Sequence, residues 1–150
     1  MPKYIPSSTK WVAEQVKNYE ASGGAKGTTL KGLPVVIVTN IGSKTGAIRK
    51  TPLMRVVSGH CYVLVASQGG APNHPLWYYN LKANPNVEIR DGSKIFPMVV
   101  REITDPKEKQ RFWNVAIDAY KPYGDYQKKT ERIIPILLAE LIEYPVRLKD

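Results

Sequence analysis

Leu33-Pro34-Val35-Val36-Ile37-Val38-Thr39, Gly42-Ser43-Lys44-Thr45-Gly46 and Ile48-Arg49-Lys50-Thr51-Pro52-Leu53-Met54-Arg55-Val56-Val57 follow one another almost without a gap, and Ser58-Gly59 leads into Cys61-Tyr62-Val63-Leu64-Val65-Ala66. Apolar, β-branched runs of this length, separated by glycine-bearing turns, read as strands. The spacers are too short for crossover helices, so the strands pair as antiparallel hairpins. Working outward, Val87 to Arg90 and Ile95 to Ile103 flank Asp91-Gly92, a further hairpin signal. Ile133 to Leu138 reads as an edge strand, because Pro135 cannot donate to a ladder. Pro52 likewise marks an edge or a bulge.

Helices fill the remainder. Ser7 and Ser8 can cap a helix whose apolar positions Val12, Val16 and Tyr19 recur at helical spacing, with Gly23-Gly24 as its stop. Leu76 to Lys82 reads as a short helix ended by Ala83-Asn84-Pro85. Asp105 caps a third, with Pro106 at its first position, Glu108 completing a capping box, and an end near Tyr120. About six strands and three or four helices give a mainly β protein with helical covers (α+β), a small barrel. The 150 residues fit one domain, with the N-terminal helix over about 8–22 and the barrel over about 28–140.

Lys plus Arg total 22 against 13 acidic residues, a formal charge of +9, which favours an anionic ligand or surface without saying which. The single cysteine, Cys61, cannot form an internal disulfide and reads as a buried strand thiol. Met1 to Ser8 lacks the apolar core of a signal peptide, and no window approaches the roughly 18 apolar residues of a membrane span. A cytoplasmic protein is expected.

Several constellations could carry chemistry. In Gly42 to Gly46 two glycines allow tight turning, so successive backbone N–H groups can point at one anion, helped by Ser43, Thr45, Lys44, Arg49 and Lys50. From spacing alone an exposed basic hairpin loop is an equally good reading. Along the next strand Arg49, Thr51, Leu53 and Arg55 share one face, and Lys50, Pro52, Met54 and Val56 the other. Ser67 closes an apolar strand before Gly69-Gly70. Trp77, Tyr78 and Tyr79 could stack a flat ring or simply be core. Tyr120, Tyr123 and Tyr126 recur every third residue, either as hydroxyl donors or as packing of a loop. With His60 and His74 the only histidines, no Ser-His-Asp set or metal-ligand cluster is apparent, so an enzyme here would rely on a cofactor.

Gly42-Ser43-Lys44-Thr45-Gly46, Arg49 to Leu53, Ala66-Ser67-Gln68-Gly69-Gly70, Pro75-Leu76-Trp77-Tyr78-Tyr79-Asn80-Leu81-Lys82-Ala83-Asn84-Pro85, Tyr123 to Tyr126 and Arg132 to Ile136 together resemble the deazaflavin (coenzyme F420)-dependent nitroreductases. The resemblance implies a split β-barrel like that of flavin-mononucleotide-binding oxidases and coenzyme F420 as hydride donor. It implies that Ser43, Lys44 and Thr45 hold the anionic part of the cofactor and that Arg49, Lys50, Thr51, Pro52, Leu53 and Met54 run along it. Val65, Ala66, Ser67 and Gln68 would border the ring with Leu76, Trp77, Tyr78, Tyr79 and Asn80. Tyr123 would face the ring or substrate, with Ser67, Tyr120 and Tyr126 nearby in catalytic roles. The acceptor it implies is a quinone, with nitroaromatic or nitroimidazole compounds as opportunistic substrates. It further implies homodimer pairing and, for some relatives, contact with the inner face of the cell membrane. Met54 stands where some relatives carry an aromatic, and Gln68 where a lysine occurs. Rival readings are an FMN-dependent oxidoreductase on the same barrel, a non-enzymatic F420 carrier and a basic nucleic-acid-binding protein. No nucleic-acid module is recognisable, and nucleic acid is not expected as a partner.

Overall fold

The computed structural model describes residues 2–142. The strands are β1 (Thr29–Leu30), β2 (Leu33–Ile41), β3 (Ile48–Met54), β4 (Val57–Ser58), β5 (Cys61–Val65), β6 (Asn86–Asp91), β7 (Lys94–Glu102) and β8 (Ile136–Leu141). They form one eight-stranded sheet in the order β1-β2-β6-β7-β8-β5-β4, with β3 on the free side of β2. Every strand pairing is antiparallel.

The run Ile48 to Val57, expected as one strand, is divided. Its first part pairs with β2 and its last with β5. Between them the Arg55 amide donates to Pro34 O (2.9 Å), and Val56 O accepts from the Val63 amide (2.8 Å). This change of partner links the two ends of the sheet and curls it into a barrel. Pro52 lies in β3, an edge strand as expected. Its free edge meets residues near the N-terminus, where Tyr4 forms a parallel bridge with Ile48.

Strand alternation sorts the side chains into layers. Val36, Val38, Leu64, Ile89, Met98 and Leu137 meet inside the barrel. On the outer face of β2, Val35 and Ile37 pack against Val16 and Tyr19 of α1 (Lys10–Ala21). On the outer face of β5 and β8, Val63, Val65, Ile136 and Leu138 pack against Phe112 and Ala116 of α3 (Pro106–Ala119) and Tyr123 of α4 (Pro122–Lys128). β2, β5 and β8 are thus covered on both sides, which explains their unbroken apolar runs. Removing Ile89 to its β-carbon would cost about 2–5 kcal/mol.

Several sequence expectations are corrected. β8 is not an edge strand: it pairs with both β5 and β7 and begins at Ile136. Pro135 sits just before it, where a missing donor breaks no ladder bond. Thr9, not Ser7 or Ser8, holds the N-cap position of α1, and Ser7 Oγ accepts from its amide (3.1 Å). The capping box of α3 is half-formed. Asp105 accepts from the Glu108 amide (2.8 Å), but the Glu108 carboxylate turns to Arg101. Cys61 is half-buried at the start of β5, and desolvation raises its thiol pKa. The segment after Tyr120 is a helix, α4, not a loop.

Candidate functional site

The loop from Gly42 to Gly46 is a closed turn. Gly42 N donates to Ala47 O (2.7 Å), Gly46 N to Gly42 O (2.9 Å) and Ala47 N to Thr45 Oγ1 (3.1 Å). The Ser43 amide donates to Asn80 Oδ1 (2.9 Å), and Asn80 Nδ2 donates to Asn40 Oδ1 (3.0 Å). Asn40 and Asn80 are both buried, so this polar bridge fixes the loop from α2 (Leu76–Ala83) and the end of β2. Three of the loop's amides, those of Gly42, Ser43 and Gly46, thus have acceptors within the chain, which leaves only the Lys44 and Thr45 amides of the loop for an anion. The exposed side chains of Ser43, Lys44 and Thr45 are also open to a ligand, with Arg49 beside them. Among the described residues neither Lys44 nor Arg49 has a carboxylate within ion-pair distance.

The pairing register puts Arg49, Thr51 and Leu53 opposite Asn40, Val38 and Val36, on the barrel-interior side of β2. Lys50, Pro52 and Met54 face the other way. Lys50 donates to both oxygens of Glu20 on α1 (2.8 and 2.7 Å), so it is turned away from Arg49 and already neutralised.

The segment Ala66 to His74 is held from a distance. The Arg132 guanidinium donates to Ala71 O (2.8 Å), Ala66 O (3.1 Å) and Ser67 O (2.7 Å), and lies 2.8 Å from His74 Nδ1. Burial and the adjacent guanidinium lower the His74 pKa, which suits a neutral ring accepting at Nδ1. Gln68 has φ +44°, a left-handed conformation that costs a non-glycine residue energy. Gly70 could not carry a side chain, since a Cβ there would lie 2.6 Å from Tyr126 O. That close approach brings the Ser67 turn against α4. Ser67 is itself buried, and its hydroxyl makes no hydrogen bond among the described residues.

The aromatic string divides. Trp77, like Val65 and Ala66, is buried in the core and supports the site from behind. Tyr78 donates to Glu102 Oε1 (2.6 Å); its hydroxyl pKa is pushed up to about 12, by burial first and then by that carboxylate. Leu76 (75%) and Tyr79 (48%) are exposed, and Tyr79 joins His74 and Tyr78 in an aromatic cluster.

The three tyrosines do come together. The Tyr120 and Tyr126 hydroxyls are 2.9 Å apart, and the Tyr120 and Tyr123 ring centroids 4.9 Å. Tyr123 is buried, which pushes its hydroxyl pKa far up. The Tyr126 pKa is raised as well, first by its hydrogen bond to Tyr120, while Lys31 opposes the shift. Met54 packs against the same cluster. Basic loop, Ser67 turn and tyrosine cluster are thus connected by α2, Arg132 and Gly70. Two cavities, of about 550 and 250 Å³, lie elsewhere and include none of the residues nominated from sequence. Reading the sequence missed Asn40, Lys31 and the role of Arg132. Only Lys31 carried a local signal, the Lys31-Gly32 pair between Leu30 and Leu33.

An antiparallel barrel with cations that meet no carboxylate among the described residues, a serine hydroxyl just past the end of β5 and a clustered set of tyrosines is suited to an anionic, ring-bearing redox cofactor. Comparison with known proteins makes this specific. The sequence profile of F420H(2)-dependent quinone reductase matches residues 11–140. The F420H(2)-dependent quinone reductase of Mycobacterium tuberculosis is 36% identical over 124 residues, covering 80% of this chain and 83% of that protein. A structure described as an F420-H2 dependent reductase (FDR-A) is 46% identical with a TM-score of 0.67, covering 71% of this chain and 94% of the other. Another, described as a domain-swapped dimer, is 43% identical with a TM-score of 0.70, covering 89% and 100%. A FAD-binding protein from Mesorhizobium loti, 12% identical with a TM-score of 0.52 over 73% of this chain and 79% of its own, shares the fold alone. The fold is the split barrel of flavin-binding proteins. The chain belongs to the F420H(2)-dependent quinone reductase family, whose cofactor is coenzyme F420.

Proposed function

We propose that this end of the barrel binds reduced coenzyme F420 and passes a hydride to a quinone. The observation that carries this reading is the pair of cations, Lys44 and Arg49, that meet no carboxylate among the described residues, on a loop pinned at Ser43 by the Asn40–Asn80 bridge. A phosphate with a polycarboxylate tail supplies the missing negative charge. The residues present therefore fit the cofactor at its anionic end. At the ring end, Ser67 and the tyrosine cluster supply hydroxyls within a largely apolar wall.

When bound, the reduced cofactor supplies the hydride. The chain's share is placement and proton management. Lys44, Arg49 and Ser43 anchor the anionic part. The Ser67 hydroxyl, without a hydrogen-bond partner among the described residues, donates toward an acceptor oxygen as negative charge develops there. Tyr126, half-exposed and linked to Tyr120, delivers the proton, while Tyr123 shapes the wall. Nitro compounds, also electron-poor and oxygen-bearing, would be opportunistic acceptors. The chain acts as one cofactor-binding unit in the cytoplasm. Its assembly is a homodimer, by analogy with the domain-swapped neighbour; the exposed apolar Ile95, Val99 and Leu141 offer a surface for it. Light scattering checks that state. Exposed Trp11 and Ile5 are the one support for contact with the membrane face, tested by sedimentation with anionic vesicles.

The decisive experiment titrates the protein with F420 and with FMN by tryptophan fluorescence, then follows F420H2 oxidation with menadione as acceptor. Preferential F420 binding and menadione-dependent oxidation are expected. Preference for FMN would overturn the cofactor, and binding without oxidation would make the protein a carrier.

A further inference from the structure

Residues Lys31-Gly32 form a two-residue turn between Leu30 and Leu33, which face each other across the β1–β2 hairpin. Both have positive φ, +54° for Lys31 and +77° for Gly32. Such turns favour asparagine, aspartate or glycine at the first position, where a lysine is disfavoured by its Cβ. A strained residue retained at an exposed turn points to a task for its side chain. Here the side chain reaches Tyr120: Lys31 Nζ donates to the Tyr120 hydroxyl at 3.3 Å across 89 positions of sequence.

That contact sets a direction. An ammonium can only donate, so the Tyr120 oxygen accepts from Lys31. Tyr120 is buried, and if it also accepted from Tyr126 its own proton would be left without an acceptor. The favoured arrangement has Tyr120 donating to Tyr126, which frees the Tyr126 O–H to point away from the pair. Lys31 also favours the Tyr126 anion directly, and Lys129, 5.9 Å from the Tyr126 ring, and the Tyr123 ring, 6.2 Å away, face it as well.

We propose that Lys31 is a positioning residue for the Tyr120–Tyr126 pair, polarising a hydrogen-bond chain so that the Tyr126 proton faces the electron acceptor. The proposal rests on the reading of this site as a hydride-transfer centre. The acceptor gains two electrons and one hydrogen as hydride from the reduced cofactor, and one proton at oxygen from Tyr126. Tyr126 recovers its proton from Tyr120, Tyr120 from the Lys31 ammonium, and Lys31 from water.

The test compares wild type, Lys31→Asn and Lys31→Arg. Asparagine suits the turn better than lysine, so Lys31→Asn is expected to hold or raise Tm. Its kcat with F420H2 and menadione should fall about tenfold, a part of the roughly 10²–10⁴-fold that a proton donor itself contributes, because Lys31 only orients the donor. KM for F420H2 should stay within about twofold, since uniform binding is untouched. Arginine, which keeps the cation, should restore most of kcat. A second reading comes from unliganded protein. In a ¹³Cζ-tyrosine NMR titration, Tyr126 should ionise at higher pH in Lys31→Asn than in wild type, because the cation that favours its anion is gone. Wild-type kcat in Lys31→Asn, or an unmoved Tyr126 titration, overturns the proposal. If wild type itself fails to oxidise F420H2, the functional reading fails, and the NMR titration alone then judges the Lys31 contact.

Discussion

The two ends of the barrel treat charge in opposite ways. At the end formed by the Ser58-Gly59 and Gly92-Ser93 turns, Asp91 accepts from Arg55 Nε (2.8 Å) and from the Tyr62 hydroxyl (2.7 Å), and the Tyr19 hydroxyl accepts from the Gly92 amide (2.7 Å). Every one of these polar groups has a partner in the chain. At the other end, among the described residues, Lys44 and Arg49 face no carboxylate and the Ser67 hydroxyl makes no hydrogen bond. Clustered cations repel one another and weaken a compact state unless a counter-charge arrives. The paired end gains stability from these bonds, and the proposed cofactor site lies at the other end. Volume does not separate them, because the cavity of about 250 Å³ belongs to the paired end.

Arg132→Met attacks the framework under the unpaired end. It removes charge-assisted bonds to three carbonyls and should cost about 3 kcal/mol of stability. Urea unfolding measures the cost, and F420 affinity should fall with it. A fall in stability with unchanged affinity would show that the Ser67 turn does not contribute to binding. The double substitution Lys44→Ala/Arg49→Ala comes next. F420 affinity should drop about thirtyfold at low salt, about 2 kcal/mol, with the deficit shrinking as ionic strength rises. Stability should hold or improve. Unaltered affinity would remove the case for an anion site. Arg55→Met is the matching experiment at the paired end. A loss of about 1 kcal/mol is expected, with F420 binding untouched. Impaired binding would break the division of labour.

The smallest effect concerns pH. Burial pushes the Glu102 carboxyl up, but the Tyr78 and Lys82 hydrogen bonds outweigh it and leave the pKa below the ordinary value of 4.5. A carboxylate lowered in the folded state stabilises above its unfolded pKa and loses that contribution as pH falls through the folded value. The stability difference between wild type and Glu102→Gln should be less than about 1 kcal/mol at neutral pH. It should close as the pH drops below 4.5. A difference that persists in acid would assign it to packing instead.

The antiparallel strands, the start of α3 and the spacing of the three tyrosines are legible because each depends on neighbours in sequence. Asp105 and Pro106 write a helix start into four residues, and Lys94 to Glu102 follows a turn that any reader of glycines would place. What stayed hidden depends on partners far along the chain. Pro135 suggests an edge, yet β8 is central, because only tertiary pairing shows that the ladder begins one residue later. Arg55 and Val56 look like mid-strand residues, and their change of partner has no local signature. Lys50 and Lys44 look alike in a basic stretch, and only the position of Glu20 on α1 separates the neutralised cation from the available one. Asn80 looks like a ligand contact, but its amide is committed to the Ser43 backbone and Asn40.

The reach of Arg132 also has a consequence in time. Its contacts with Ala66, Ser67, Ala71 and His74 span from 58 to 66 positions of chain. Contacts that close large loops form late, because the entropy of closure is met before they give any return. The β2–β3 hairpin can form early from local contacts, but the turn that carries Ser67 has to wait for the approach to β8. Binding competence should therefore lag behind the appearance of sheet during refolding, so that the barrel is recognisable as a barrel before it is able to hold anything.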